Sequence, residues 1–499
     1  MYKIKIRLLI VFFLTATGIG FSQEEKSSGI INLRQIMDSI AGDATEGRFT
    51  GSPGYNKAAA YVVNFLSKNG LKPCYTDSTG EKSYLQPVHF IQYSYDSLTS
   101  ISIKKNNSKK IFKHATHDFV FKNCNSFNLN DAQSAVFIGY GIYEPDFNLN
   151  DYENMDVAGK VVIIKSGFPN NEKFPDKLRD KYDNYITCEK AKYEGFIKHN
   201  VAAVIELPSK WTIENWEEFV IRQYRFQYMN YGEKPIDNSN IESTIPHVII
   251  NKEMAAFLIS DNNYLQDDFE PFELDRTEIN FKIVGKKENI YCNNIIAVCP
   301  GTEPKIQNEY ITVCAHLDHL GKYEKHIYNG ENDNASSCSI ILETARCISQ
   351  DPLKRPVCFV FYTAEEIGMY GSEHFFKHPP IPLNEMIVNI NIEQIGSKNR
   401  QCPGVIAIGS KQFEDDFNKA GFLFTQSENQ NYNIDDNSNW AESTDTYIFY
   451  ENKIPSMLMG SGGFHEYHKP EDKIDLIDFE HLYKSKVLLH SLIKEIGDN

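Results

Sequence analysis

Apolar residues recur along this chain in three different rhythms. Between Ile30 and about Gln92 the rhythm is helical. In GYNKAAAYVVNFLSKNGLKP the apolar residues share one face, Gly70 supplies a stop, and Pro73 lies beyond it. From about Ser94 to Val284, short apolar runs (SAVFIGYGI, GKVVIIKSG, VAAVIEL, TIPHVIINK) alternate with polar, aromatic-rich loops, which predicts a mostly β module with its acidic, Asn-rich loops in solvent. From about Asn289 onward, strand-length runs (EYITVCAHL, PVCFVFYTA, MIVNINIEQ, GVIAIG, IPSMLM) alternate with the amphipathic helices NASSCSIILETARCIS and FEHLYKSKVLLHSLIKEI. That alternation predicts an α/β fold, a mostly parallel mixed sheet sandwiched by helices.

The expected organisation is therefore a leader at 1–22, a first part of the α/β domain at 30–92, an inserted module at 94–284, and the rest of the α/β domain at 289–499. At 499 residues the chain is long enough for more than one core, and 41% hydrophobic with 13% aromatic residues suits packed globular structure. The leader is read from Lys3, Lys5 and Arg7, the apolar run Leu8 to Gly20, and the small-residue site Gly20-Phe21-Ser22. It predicts export to the periplasm or the outside of the cell. The run is short for a bilayer span.

Removing the leader takes the net charge from −16 to about −19, which argues against nucleic acid or an anionic membrane surface as partner. The 10 Cys contain no C-x-x-C, so a thiolate zinc site is not expected. Cys299, Cys314, Cys338 and Cys358 lie in apolar runs and are expected as buried thiols.

The chemistry concentrates in AHLDHLGKYEKHIYNGENDNASS, Ala315 to Ser337, which holds His316, Asp318, His319, His326, Glu331 and Asp333. Parallel sheets present functional groups at the C-terminal ends of their strands. The first three predicted strands there end in His316 and Asp318, in Glu365 and Glu366, and in Glu393, while GFHEYHKPEDKID adds His465 and His468. Histidines mixed with carboxylates suit zinc-like divalent ions, and a shared carboxylate suits two. His316 is read as a nitrogen ligand whose second ring N–H is taken by Asp318. Asp333 is short enough to bridge two ions. Of the adjacent Glu365 and Glu366, one can bind metal while the other faces the attacking water as general base. His319, His326 and His465 are expected to be polar loop residues. HEYH is one residue short of an H-E-x-x-H zinc helix, and the absence of G-x-S-x-G disfavours a serine hydrolase.

These residues carry a resemblance. The stretches AHLDHLG, IYNGENDNASS, FYTAEEIGMYGS, NINIEQIG, STDTYIFYENKIPSMLM and YHKPEDKID resemble, in order, the motifs of peptidase family M28, the co-catalytic dizinc aminopeptidases of zinc-exopeptidase fold. EGRFTGSPGYNKAAAYVVNFLSKNGLKP resembles the N-terminal helix region of the same enzymes, and SAVFIGYGIYEPDFNLNDYENMDVAGKVVII resembles an inserted protease-associated domain.

The resemblance implies two zinc ions bridged by Asp333. His316 and Glu393 complete one shell, and Glu366 and His468 the other. Glu365 is then the general base and Asp318 orients His316. Glu393 stands where the family commonly has Asp. Thr444-Asp445-Thr446-Tyr447 stands where it often has Ser-Asp-His-Tyr, leaving Tyr447 as the candidate transition-state or substrate contact. The implied activity is removal of N-terminal residues from peptides. The rival readings are a carboxypeptidase or narrow amidohydrolase on the same scaffold, and a non-catalytic peptide-binding protein. An Arg cluster would favour a carboxylate-recognising pocket, and the site motifs contain none.

Overall fold

The computed structural model describes residues 23–499 apart from 124–131, 170–173, 184, 227–228, 232–244, 260–261, 266–269, 402–404, 410–419, 421–431 and 435–442. The leader at 1–22 lies outside the described residues. Among them, no helix is long and apolar enough to cross a membrane.

A large mixed sheet organises the chain. Its strands are β1 (Lys72–Pro73), β2 (Leu85–Tyr95), β3 (Met229–Tyr231), β4 (Gly285–Cys299), β5 (Tyr310–His316), β6 (Val357–Tyr362), β7 (Met386–Glu393), β8 (Val405–Gly409), β9 (Tyr432–Ile434) and β10 (Ser456–Gly460). They lie in the order β3-β2-β4-β6-β5-β7-β10-β8-β9, with β1 on β4. The central four, β6, β5, β7 and β10, are parallel, whereas β4 and β8 flank them antiparallel. The expected parallel sheet is thus the middle of a wider mixed one.

The helices are α1 (Gln23–Ala41), α2 (Pro53–Lys68), α3 (Ser336–Gln350), α4 (Tyr370–Lys377) and α5 (Phe479–Asp498). The start of α2 follows from its sequence: Ser52 accepts from the Tyr55 N–H at 3.1 Å, and Pro53 occupies the first turn.

Strand composition explains the layers. In β5, Ile311, Val313 and Ala315 face the core formed with α1, α2, α3 and α5, while Cys314 faces a second core with Phe375 of α4 and Phe449. β6 alternates the same way, Val357, Phe359 and Phe361 against Cys358, Val360 and Tyr362. Strands covered on both faces read as unbroken apolar runs, and each large aliphatic side chain so buried contributes roughly 1.5–3 kcal/mol. The eight described cysteines are free thiols, Cys299, Cys314, Cys338 and Cys358 all buried.

Close backbone approach fixes α4 against β6. A Cβ on Gly371 would sit 2.0 Å from the Thr363 carbonyl oxygen. Gly371→Ala is expected to destabilise by about 1–3 kcal/mol, read as a lower urea midpoint; an unchanged midpoint would refute that contact.

Residues between β2 and β4 build a separate six-stranded sheet from 272–273, 135–137, 161–165, 203–207, 247–250 and 119–123 in that order, plus a three-stranded sheet from 277–282, 100–105 and 108–113. They have apolar clusters of their own. This part is richer in helix than its sequence suggests, with helices at Asp176–Asp183, Tyr185–Lys198, Lys210–Glu214, Trp216–Phe226 and Lys252–Leu258. The reason is topological: 135–137, 161–165, 203–207 and 247–250 run parallel, and parallel neighbours need crossovers. One strand from this stretch, β3, leaves it to pair with β2 at the edge of the large sheet, Met229 opposite Gln92 and Tyr231 opposite Phe90.

Candidate metal centre

β5 lies between β6 and β7, so the chain leaves β5 to one side and later crosses to the other. The crevice at the C-terminal ends of these strands is a switch point, where doubly wound sheets place their sites. His316 ends β5, Glu393 ends β7, and Glu365 and Glu366 follow β6.

Asp333 arrives from the loop between β5 and α3. That loop turns at Gly330 with φ 59°, where a Cβ would lie 2.2 Å from the Asp333 carbonyl oxygen. The carboxylate of Asp472 accepts from the backbone N–H of Asn332 at 2.8 Å and of Asp333 at 3.1 Å. Asn334 pins the loop to β7, donating to the Ile392 carbonyl at 3.0 Å and accepting from the Gln394 N–H at 3.1 Å.

The side chains converge. His316 Nε2 lies 3.0 Å from Oε1 of Glu393 and 3.3 Å from Oδ1 of Asp333. His468 Nε2 lies 3.4 Å from Oδ2 of Asp333 and 2.9 Å from Oε2 of Glu366. Asp333 therefore presents one oxygen to each imidazole. Donor atoms of His316, Asp333 and Glu366 all fall within 4.8 Å of one another. Oδ2 of Asp333 and Oε2 of Glu393 are buried without a hydrogen bond. Orphaned donors of this kind facing one small space are what divalent ions require, so the residues fit the group.

Electrostatics agree. Burial pushes His316 down, but the Glu393 and Glu365 carboxylates outweigh it and leave the imidazole well above its usual value. His468 is raised to about 9, Glu366 and Asp333 overcoming its burial. Asp333, despite burial and the neighbouring Glu366, is held down to about 2 by the two imidazoles. Glu393 is raised to about 7, mainly by burial. Glu365 is raised well above the carboxylate range, first by burial and then by Glu366 and Glu393 outweighing His316. Its Oε2 stands 3.8 Å from His316 Nε2.

An ion must displace the imidazole protons. Apparent zinc affinity is accordingly expected to rise with pH toward about 9, roughly tenfold per unit for each proton displaced. Chelator competition between pH 6 and 8 would show it, and a flat profile would contradict the assignment. Without metal the sign for folding is opposite: the raised His468 adds stability below about pH 6.5 that is lost as pH rises through about 9.

Three expectations change. The His316 Nδ1–H points to the backbone carbonyl of Asp318 at 3.1 Å, not to its carboxylate at 3.9 Å. The bond still leaves Nε2 facing the cluster. The Asp318 carboxylate instead accepts from the N–H groups of Glu365 at 3.2 Å and Glu366 at 3.3 Å, because its short side chain reaches the loop after β6. His319 is no polar loop residue. It is fully buried, with Nδ1 2.5 Å from Oε1 of Glu366, because its N–H is tied to the Arg48 carbonyl at 3.2 Å.

Tyr447 opens a short helix, Tyr447–Glu451, and its hydroxyl donates one turn along to Glu451 at 2.5 Å. The cluster is faced by Asp445 and Tyr467 instead. Asp445 is fully buried and raised to about 7, chiefly by burial. The Tyr467 ring stacks on His468 at 3.7 Å between centroids. Tyr467 and Asp472 stand inside the quoted YHKPEDKID, and Asp445 in STDTYIF, so their signal was spacing from His468 and the last strand. His326 and His465 are exposed, as expected.

Residues 294–493 match the profile described as peptidase family M28. The aminopeptidase YwaD of Bacillus subtilis is 28% identical over 209 residues, 38% of this chain and 41% of that protein. The chain's matches span well under half the length of the first curated relatives. Among solved structures, the aminopeptidase from Aneurinibacillus sp. strain AM-1 superposes with a TM-score of 0.62 at 19% identity over 94% of each chain. BSAP, a zinc aminopeptidase from Bacillus subtilis, superposes with a TM-score of 0.57 at 18% identity over 94% of this chain and 95% of that one. These superpositions show that the fold extends across nearly the whole chain. Residues 294–493 of this protein therefore form a domain of peptidase family M28.

Proposed function

We propose that the protein is an exported zinc aminopeptidase that removes N-terminal residues from peptides. The observation that carries this reading is Asp333, whose two oxygens face His316 and His468 from between them. His316, Glu393 and Asp333 would hold one ion, and His468, Glu366 and Asp333 the other. Two zinc ions bound there would polarise the scissile carbonyl and acidify the attacking water.

The chain's own groups do the rest. Glu365, raised by burial and only 15% exposed at its side chain, takes the proton from the attacking water and delivers it to the departing amine. Asp318, bonded to the N–H groups of both glutamates, holds that loop in place. Tyr467, stacked on His468, offers its hydroxyl as donor to the carbonyl oxygen. Glu365 and the buried Asp445 offer carboxyl oxygens as acceptors for a substrate α-ammonium, whose arriving positive charge would favour their ionised forms.

Arg48 supports release from the N-terminus over the C-terminus: all three of its nitrogens already donate to backbone carbonyls, so it offers no clamp for a substrate carboxylate. Residues 94–284 are read as a protease-associated insert, with their own sheet and core in support. The basic-then-apolar leader at 1–22 supports export.

The test is release of p-nitroaniline from a panel of aminoacyl-p-nitroanilides by the mature protein, with and without a zinc chelator. Chelator-sensitive release is expected. Protein that carries zinc but cleaves only C-terminally free or blocked peptides would replace this reading.

A further inference from the structure

We propose that Arg48 and Thr50, in the segment EGRFTGS far upstream of the M28 domain, are positioning residues of the metal centre. This rests on the metallopeptidase reading above and extends it to a part of the chain that residues 294–493 do not include.

Three loops carry His316, Asp333, Glu366 and the base, leaving Glu393 and His468 to other segments, and all three are fastened to this one segment. The first follows β5. Arg48 Nε donates to the Leu317 carbonyl at 2.8 Å, between His316 and Asp318, and the Arg48 carbonyl accepts from the His319 N–H at 3.2 Å. The second precedes α3. Arg48 Nη1 donates to the Asn329 carbonyl and Nη2 to the Gly330 carbonyl at 3.0 Å, three residues before Asp333. The third follows β6. Thr50 Oγ1 accepts from the Ala364 N–H at 3.1 Å, where φ is 60°, immediately before Glu365 and Glu366. The same hydroxyl donates to Oδ2 of Asp318 at 3.1 Å, and Asp318 in turn holds both glutamate N–H groups.

The segment has been shaped for this. Arg48 is fully buried, a costly place for a charge, and its guanidinium spends its donors on carbonyls. It also sits at φ 51°, where a non-glycine residue is strained. Gly47 before it leaves no room for a Cβ, which would lie 2.3 Å from the Gly321 carbonyl oxygen. A planar fork that reaches three carbonyls at once is a task for arginine rather than lysine. Neither residue touches the space between the ligands. Their effect passes through where His316, Asp333, Glu365 and Glu366 are held, and supports of this kind are commonly worth 10–100-fold in metal affinity or activity.

The experiment compares wild type, Thr50→Val, Thr50→Ser and Arg48→Lys. Zinc affinity is read by chelator competition, ligand geometry by the visible spectrum of the Co²⁺-loaded protein, kcat and KM on one aminoacyl-p-nitroanilide, and folding by circular dichroism. Thr50→Val keeps the shape and removes the hydroxyl. It is expected to fold, to weaken zinc binding or lower kcat by roughly 10–100-fold with KM within about twofold, and to alter the Co²⁺ spectrum, whereas Thr50→Ser restores all three. Arg48→Lys is expected to lose zinc affinity at least as severely. Folded Thr50→Val with wild-type affinity, spectrum and kcat would overturn the proposal. Wild type that neither binds zinc nor cleaves would overturn the metallopeptidase reading itself and the proposal with it.

Discussion

Glu365→Gln is expected to lower kcat for aminoacyl-p-nitroanilide hydrolysis by roughly 10²–10⁴-fold, the range for removing a general base, while zinc content stays at the wild-type level. The two halves of that expectation come from different observations. Glu365 is three residues beyond β6, reaches Oε2 to 3.8 Å from His316 Nε2, and is raised well above the carboxylate range by burial. The upward shift makes it a stronger proton acceptor than an exposed carboxylate. The donor atoms themselves belong to His316, Asp333, Glu366, Glu393 and His468, so the amide, equal in size, leaves them in place. Loss of zinc together with activity would show instead that Glu365 is a ligand. Retained kcat would remove it from the mechanism.

Asp333→Asn attacks the opposite property. Its two oxygens serve two imidazoles, and an amide offers one acceptor oxygen where a carboxylate offers two. Zinc binding is expected to fall at both positions, and activity with it. Zinc at a hundredfold excess over its Kd stabilises a folded protein by about 2.7 kcal/mol, and that increment should vanish in the variant. Calorimetry with and without zinc reads it. The metal-free variant should itself be less stable than metal-free wild type, because the two imidazoles hold the Asp333 carboxylate down to about 2, so the zinc increment is read against each protein's own metal-free midpoint. Full zinc stabilisation of Asp333→Asn would mean that this carboxylate does not bridge.

How much of this was legible in the sequence depended on how far the cause lay from the effect. β5, β6 and β7 were readable because strands covered on both faces carry mostly apolar side chains, Thr312, Asn389 and Asn391 apart, and the break in each run marks the strand end. His316, Glu365, Glu366 and Glu393 were readable for the same reason, standing where those runs stop. Asp333 and His468 needed the resemblance as well, since loops carry no periodicity. His319 was misread because its burial depends on Arg48, some 270 residues upstream, and no local pattern reports a bond to that carbonyl. Asp318 was placed near the right neighbours with the wrong partner, since spacing of two residues cannot distinguish a side-chain acceptor from a backbone one. Tyr447 and Asp445 were confused because a turn of helix begins between them and sends one side chain outward and the other inward. The helices within 94–284 were understated because their amphipathic faces pack on a small sheet whose own strands are only a few residues long.

The strand β3 has an implication beyond the site. It comes from within residues 94–284 yet pairs with Phe90–Gln92 on the rim of the large sheet. Deleting residues 94–284 would strip a strand edge of its partner, the kind of edge that recruits other chains into aggregates. Residues 94–284 and the large sheet are therefore joined by backbone pairing as well as by covalent continuity, and an unfolding of one would expose an edge of the other.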